Sequence, residues 1–67
     1  MVTAKEKELL QKALEKGSLS FIDFKLQFSQ NYMAGVIERF ILMGFIEREN
    51  GDKFKLNKLK IKEALND

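Results

Sequence analysis

The residues of this sequence best suited to chemistry are amides and cations, and the chemistry that suits them is the binding of a polyanion. Three polar residues, Gln30, Asn31 and Tyr32, are consecutive. An amide side chain can hydrogen-bond the edge of a base, and all three residues can contact a phosphate. The cations that could accompany them at phosphates are Arg39, Arg48, Lys53 and Lys55. We predict that these residues contact double-stranded DNA, and the five lysines without an acid in residues 53–62 add positive charge.

The sequence offers little for catalysis. The chain has no cysteine and no histidine, which excludes disulfide bonds and the usual zinc sites. A catalytic carboxylate needs burial or a like-charged neighbour to shift its pKa. We expect the acids Glu6, Glu8 and Glu15 to lie in solvent, and Glu47 and Glu49 to face lysines. We therefore predict no enzyme activity, no cofactor and no metal site.

Length and composition indicate one small domain over residues 1–67. The chain is 45% hydrophobic and 33% charged, which is ordinary for a soluble domain, and its net charge is +2. The longest apolar run covers residues 40–46, well short of the roughly 20 residues that span a bilayer. The N-terminus alternates in charge and lacks the apolar region of a secretory signal. We expect a cytoplasmic protein without a membrane partner.

The first elements are predicted from capping residues. Thr3 and Glu6 have the spacing of a capping box, so a helix is predicted over residues 3–16, with Gly17 ending it. Residues 18–19 are extended and are expected to pair with a later hairpin as a short strand.

Two further helices follow. Ser20 is the predicted cap of a second helix over residues 21–28. A tight polar turn at residues 29–31 leads into a third helix over residues 31–43, which Gly44 ends.

The apolar faces of these two helices predict the core. We assign Ile22 and Leu26 to the core, although the second helix also carries three phenylalanines on the adjoining side. The resulting apolar arc is wider than the stripe of about 100° that burial of one face needs. We therefore predict that Phe24 is exposed, as is Leu42 on the third helix; the alternative is that Phe24 turns into the core. The predicted core is Leu10, Leu14, Ile22, Leu26, Val36, Ile37, Phe40, Ile46 and Leu56.

A hairpin follows, with strands at residues 45–49 and 53–56 on either side of Asn50-Gly51. A two-residue turn would place Glu49 opposite Asp52, and like charges directly opposite each other repel. A three-residue loop places Glu49 opposite Lys53 instead, and we prefer this register. It also pairs Glu47 with Lys55 and Ile46 with Leu56.

A last helix is predicted over residues 57–66, with Leu59, Ala64 and Leu65 as its apolar set. The complete order predicts a mainly α fold with a small β-hairpin, of the α+β class. More narrowly, it predicts a winged helix-turn-helix with a three-helix core, a wing and a C-terminal helix.

Residues 18–46 resemble, without a gap, the winged-helix gamma domain at the C-terminus of FtsK/SpoIIIE-type DNA translocases. The residues that fit the pattern of that family are Ser20, Phe21, Ile22, Lys25, Leu26, Asn31, Ala34, Val36, Ile37, Glu38, Gly44, Phe45 and Ile46. The family domain recognises short oriented DNA sequences, so the resemblance implies DNA binding. It also adds Lys25 to the predicted contacts. Three arginines of the family pattern are replaced by Phe24, Tyr32 and Gly35, so the DNA sequence that the family prefers is not implied here.

Two functions are compatible with these features. The first is a DNA-binding module, either a small transcriptional regulator or a DNA-associated adaptor. The second is a protein-interaction or dimerisation module without DNA binding, in which the exposed apolar residues Phe24 and Leu42 form the interface. A homodimer is compatible with both. Alternatively, Asn31 could serve only as a helix N-cap, and the lysine run only as a solvated surface.

Overall fold

The computed structural model describes residues 2–66, which form four helices and three strands. They are α1 (Ala4–Lys16), β1 (Leu19–Ser20), α2 (Phe21–Gln27), α3 (Gln30–Leu42), β2 (Ile46–Arg48), β3 (Lys53–Leu56) and α4 (Lys58–Leu65). The strands form one antiparallel sheet in the order β1-β3-β2. The predicted α+β class with mainly helical structure is confirmed, and each predicted element end lies within one residue of the observed end.

The ends of α1 follow their local signals. The Thr3 N–H donates to Glu6 Oε1 at 3.0 Å, and the Glu6 N–H donates to Thr3 Oγ1 at 3.2 Å, which completes the predicted capping box. Gly17 follows the helix with a φ of 77°, a value that a residue with a β carbon adopts only with strain. Its N–H donates to the Ala13 carbonyl at 2.7 Å, so the chain leaves α1 where the sequence predicts.

The start of α2 is held by the carboxylate of Asp23. Asp23 Oδ2 accepts hydrogen bonds from the Ser20 N–H at 2.9 Å and from Ser20 Oγ at 3.1 Å. Lys16 Nζ donates to Asp23 Oδ1 at 2.8 Å and so links the end of α1 to the start of α2. Burial acts to raise the pKa of Asp23, but the hydrogen bonds from Lys16 and Ser20 outweigh burial and hold the pKa below its ordinary value.

The hairpin has the predicted register with a three-residue loop. The paired residues are Ile46 with Leu56, Glu47 with Lys55, and Arg48 with Phe54. The Glu49 N–H donates to the Lys53 carbonyl at 3.2 Å, as expected once the like-charged pair is avoided. The Phe21 N–H donates to the Asp52 carbonyl at 2.7 Å, which holds the loop close to the start of α2.

The core lies between the helices and one face of the sheet, and its centre is aromatic. The Phe24 ring lies 5.9 Å from the Phe40 ring and 5.4 Å from the Phe54 ring, measured between centroids. Phe45 lies 5.6 Å from Phe40 with its ring edge-on, the arrangement that aromatic rings favour. The remaining buried apolar residues are Leu9, Leu10, Ala13, Leu19, Met33, Val36, Ile37, Ile46 and Ile61. Two residues of the predicted core, Leu14 and Leu56, are only partly buried.

The predicted face of α2 was wrong. Ile22 and Leu26 are 58% and 81% exposed, whereas Phe24 is fully buried. Both sides of this short helix are apolar, so periodicity alone could not choose between them. Tertiary packing determines which side of α2 is buried, because the Phe24 ring contacts Phe40 of α3 and Phe54 of β3. Phe24 is therefore not the exposed interface residue that the sequence predicted.

A smaller exchange occurs on α4. Leu59 was predicted as part of the apolar set of this helix but is 75% exposed, and Ile61 is fully buried instead. Ala64 and Leu65 are partly buried against the core, as expected. Within residues 2–66, no helix combines the length and the apolarity that crossing a membrane requires.

Candidate nucleic-acid interface

The outward side of α3 is one surface that predicted contacts could share. The helix packs Met33, Val36, Ile37 and Phe40 against the core, which leaves the opposite side to solvent. The exposed residues on that side are Asn31, Ala34, Gly35, Glu38 and Leu42. Leu42 is 83% exposed, as predicted. This side of α3 carries one acid and no cation, so any attraction for phosphates must come from its ends and flanks.

The N-terminal end of α3 is where predicted contacts come together. Lys25 and Gln30 line one shallow hollow between α2 and α3, and the exposed Asn31 follows directly. Ser29 is the N-cap, so the alternative that Asn31 caps the helix is wrong. The N–H groups of a first helical turn have no carbonyl partner within the helix, and together with the helix dipole they favour an anion. Lys25 adds a full positive charge beside them.

Tyr32 and Arg39 lie on the flank of α3 that faces α1 rather than on the outward side. With the first turn of α1 and with Phe28 they line a separate hollow. Arg39 Nη2 donates to Glu6 Oε1, and Glu6 is only 2% exposed. The expectation that Glu6 is solvated was wrong, because the first turn of α1 lies against α3. Moving Arg39 to a phosphate would leave the buried Glu6 carboxylate without its charged partner, which is unfavourable.

Arg48 lies at the edge of the outward side of α3. Its Nη2 donates to Glu38 Oε1 at 3.0 Å, and the two side chains are 64% and 66% exposed. This contact positions β2 beside α3. It also neutralises the one acid on that side of the helix, while leaving the guanidinium largely open to solvent.

The lysines of residues 53–62 do not form one patch. Lys53 and Lys55 lie on the outer side of the sheet, because side chains alternate along a strand and Phe54 between them is buried. On α4, the Lys60 side chain lies against Gly44, just beyond the C-terminal end of α3. Because α3 has 13 residues, this end lies about 20 Å from Gln30. The lysine run is therefore divided between the outer side of the sheet and α4.

The sequence did not predict a groove between α1 and α2. Its volume is about 420 Å³, and Leu9, Ala13 and Leu19 form its apolar floor. Leu26 forms one wall. The wide apolar arc of α2 is the sequence feature that indicates this groove. Ile22 and Leu26, which form the exposed part of that arc, were assigned to the core from the sequence.

No family model matches this chain, and neither a curated protein nor a solved structure matches it significantly. The resemblance of residues 18–46 to the gamma domain remains an interpretation of those residues themselves.

Proposed function

We propose that this protein is a winged-helix module that binds double-stranded DNA through the N-terminal end of α3. The order of the elements supports the winged-helix assignment: a helix, a short strand, two helices joined by residues 28–29, and a hairpin. The first strand adds to the hairpin in the order β1-β3-β2. In a helix-turn-helix, the second helix of the pair enters the major groove, and here that helix is α3.

The observation that carries the proposal is the grouping of Lys25, Gln30 and Asn31 at one helix end. The amide of Asn31 has the donor and acceptor that pair with an adenine edge in the major groove. Lys25 and the N–H groups at the start of α3 can bind the flanking phosphates. Arg48, from β2, can reach the backbone beside the same helix.

The number of phosphate contacts is small. Arg39 is held by Glu6, and Lys60 lies at the far end of α3. With about three phosphates contacted, the logarithm of the association constant should fall against the logarithm of the salt concentration with a slope of about −3. We expect weak to moderate binding that depends little on sequence apart from the base read by Asn31.

Fluorescence anisotropy with a labelled random duplex, at low and at moderate salt, tests the proposal. Lys25→Glu should weaken binding at least about tenfold at low salt and flatten the salt dependence. Lys62→Glu is the matched control, because it makes the same change of charge on the exposed surface of α4. It should weaken binding much less.

Two results would count against the proposal. If the two charge reversals weaken binding equally, net charge rather than the α3 end is responsible. If the wild-type chain binds no duplex at low salt, DNA binding itself is wrong.

A protein-docking module is the second candidate, and the composition of the outward side of α3 favours it. That side combines small residues with Leu42, which is 83% exposed, and carries no cation. Helix faces of this kind suit packing against another protein better than they suit phosphates. Failure of the wild-type chain to bind duplex would favour this candidate, whereas duplex binding that depends on Lys25 would remove its main support.

A further inference from the structure

The outer surface of α2 exposes apolar side chains that the rest of the chain does not cover. Ile22 and Leu26 are 58% and 81% exposed and lie one helical turn apart on the same side. Phe21 adds a ring that is 39% exposed. Because α2 has only seven residues, these side chains and the exposed Lys25 make up its outward surface. Grouped apolar side chains of this kind mark interaction surfaces, whereas single ones do not.

The groove between α1 and α2 lies directly beside these side chains. Its floor is formed by Leu9, Ala13 and Leu19, and Leu26 stands on its wall rather than filling it. The same surface therefore has an apolar projection, formed by Ile22 and Leu26, next to an apolar depression, which is the groove. In a two-fold symmetric contact, each projection lies opposite the depression of the partner, so such a surface is complementary to itself.

The charges around the groove are also compatible with self-contact. The rim carries both signs, from Lys12, Lys16, Glu8, Glu15 and Asp23. Lys16 Nζ lies 2.8 Å from Asp23 Oδ1, and Lys12 Nζ lies 3.8 Å from Glu8 Oε1. Two lysines and three acids leave a net charge of −1. A surface that meets a copy of itself must avoid repelling itself, and this near-neutral rim does so.

Other occupants fit less well. A nucleic acid would meet a mostly apolar surface on which Lys25 is the one cation of α2, too little positive charge for several phosphates. A long amphipathic helix would extend past the groove, because the seven residues of α2 span only about 10 Å. A second copy of the chain supplies both the projection and the depression within the same short distance.

We propose that this surface, defined by Ile22, Leu26 and the α1–α2 groove, holds a second copy of the chain in a two-fold symmetric dimer. The contact is small, so the dimer is weak and reversible. It does not include Asn31 or the sheet lysines. Lys25, one of the proposed DNA contacts, lies on the same seven-residue helix, so the dimer is tested in the absence of DNA.

Sedimentation equilibrium of the complete chain tests the proposal, over concentrations from about 10 μM to about 1 mM, where a dimer with a small interface dissociates. The mass of the wild-type chain should rise from 7.8 kDa towards twice that value. Leu26→Glu should remain monomeric throughout. Leu59→Glu is the matched control, since Leu59 is 75% exposed on α4, and it should associate as the wild type does.

Circular dichroism verifies that each variant is folded, as expected for a substitution at an exposed position. If Leu26→Glu does not fold, Ile22→Ser examines the same surface and should also be monomeric. A wild-type chain that stays at 7.8 kDa over the whole range would overturn the proposal. So would a folded Leu26→Glu chain that associates normally, or a Leu59→Glu chain that alone loses association.

Discussion

Two adjacent residues of α3, Glu38 and Arg39, each form an ion pair between a glutamate and an arginine, in opposite environments. Arg39, whose side chain is 43% exposed, pairs with Glu6, whose side chain is only 2% exposed, and so links α3 to α1. Glu38 pairs with Arg48 at the surface, where the two side chains are 66% and 64% exposed. Water can replace the lost partner at the surface but not at the buried carboxylate. Burial of the acid, more than the contact itself, decides how much each pair matters for folding.

A third pair lies between these extremes. Asp23, with a side chain 17% exposed, is bound by Lys16 and by the N-cap of α2. The three acids therefore form a graded series within one small domain. If burial of the acid is the controlling variable, the free energy of unfolding should respond to their loss in the same order.

Breaking the buried pair should have the largest effect. Arg39→Met keeps most of the apolar stem of the side chain but leaves the Glu6 carboxylate buried without its partner. We expect the free energy of unfolding to fall by about 3 kcal/mol, at the low end for a buried pair because the arginine is partly exposed. Urea denaturation followed by circular dichroism measures this change.

A second substitution sharpens the result. Glu6→Gln combined with Arg39→Met removes the buried charge while keeping an oxygen that can accept the Thr3 N–H. This double variant should recover at least about half of the lost stability, because neither member of the pair is then left charged and alone. A single variant that loses less than about 1 kcal/mol would show that water reaches Glu6.

Asp23→Asn should have an intermediate effect, a loss of about 1 kcal/mol at neutral pH, because one charged cap and one ion pair are removed. The pKa of Asp23 is lower in the folded state, so the unfolded chain binds the proton more readily. The stabilisation is therefore complete above the ordinary carboxyl pKa of about 4 and is lost as the pH falls through the lower folded value. Wild-type stability should fall more steeply than that of Asp23→Asn below this pH, as chemical denaturation at successive pH values can measure. Parallel curves would contradict the assignment.

Glu38→Gln should have the smallest effect on folding, a change of at most about 0.5 kcal/mol in the free energy of unfolding. Its effect on binding should be larger, because it removes the acid from the outward side of α3 and releases Arg48. If that side faces DNA, duplex affinity at low salt should rise about threefold, as anisotropy can measure. Unchanged affinity would indicate that DNA, if bound, contacts a different surface.

The elements themselves were predictable because their signals are local. The Thr3–Glu6 capping box, the left-handed turn at Gly17 and the charge pattern around Asn50-Gly51 involve residues close together in the sequence. The first two signals predicted the ends of α1 to within one residue, and the third predicted the register of the hairpin. The exposed position of Leu42 was also predicted, since the helical period of α3 has a single apolar side.

The spatial grouping of the candidate DNA contacts was less predictable, because it depends on how the elements pack against one another. Gln30 and Asn31 do lie at one helix end with Lys25. Arg39 is directed towards α1 by a carboxylate 33 positions away, a distance over which a sequence carries no local signal. The lysines of residues 53–62 are divided by the turn between β3 and α4.

By itself, the sequence determined the number, order and ends of the helices and strands and the pairing of the hairpin, because capping, turn chemistry and cross-strand charge act over a few residues. Only the tertiary structure decided that Phe24 is buried while Ile22 and Leu26 face solvent, and that Glu6 is buried beside Arg39. On α2 both sides are apolar, so the choice depended on which side chain fits against the rings of Phe40 and Phe54. Such a fit is a property of the assembled core, since close packing depends on the shapes of all the residues that meet there.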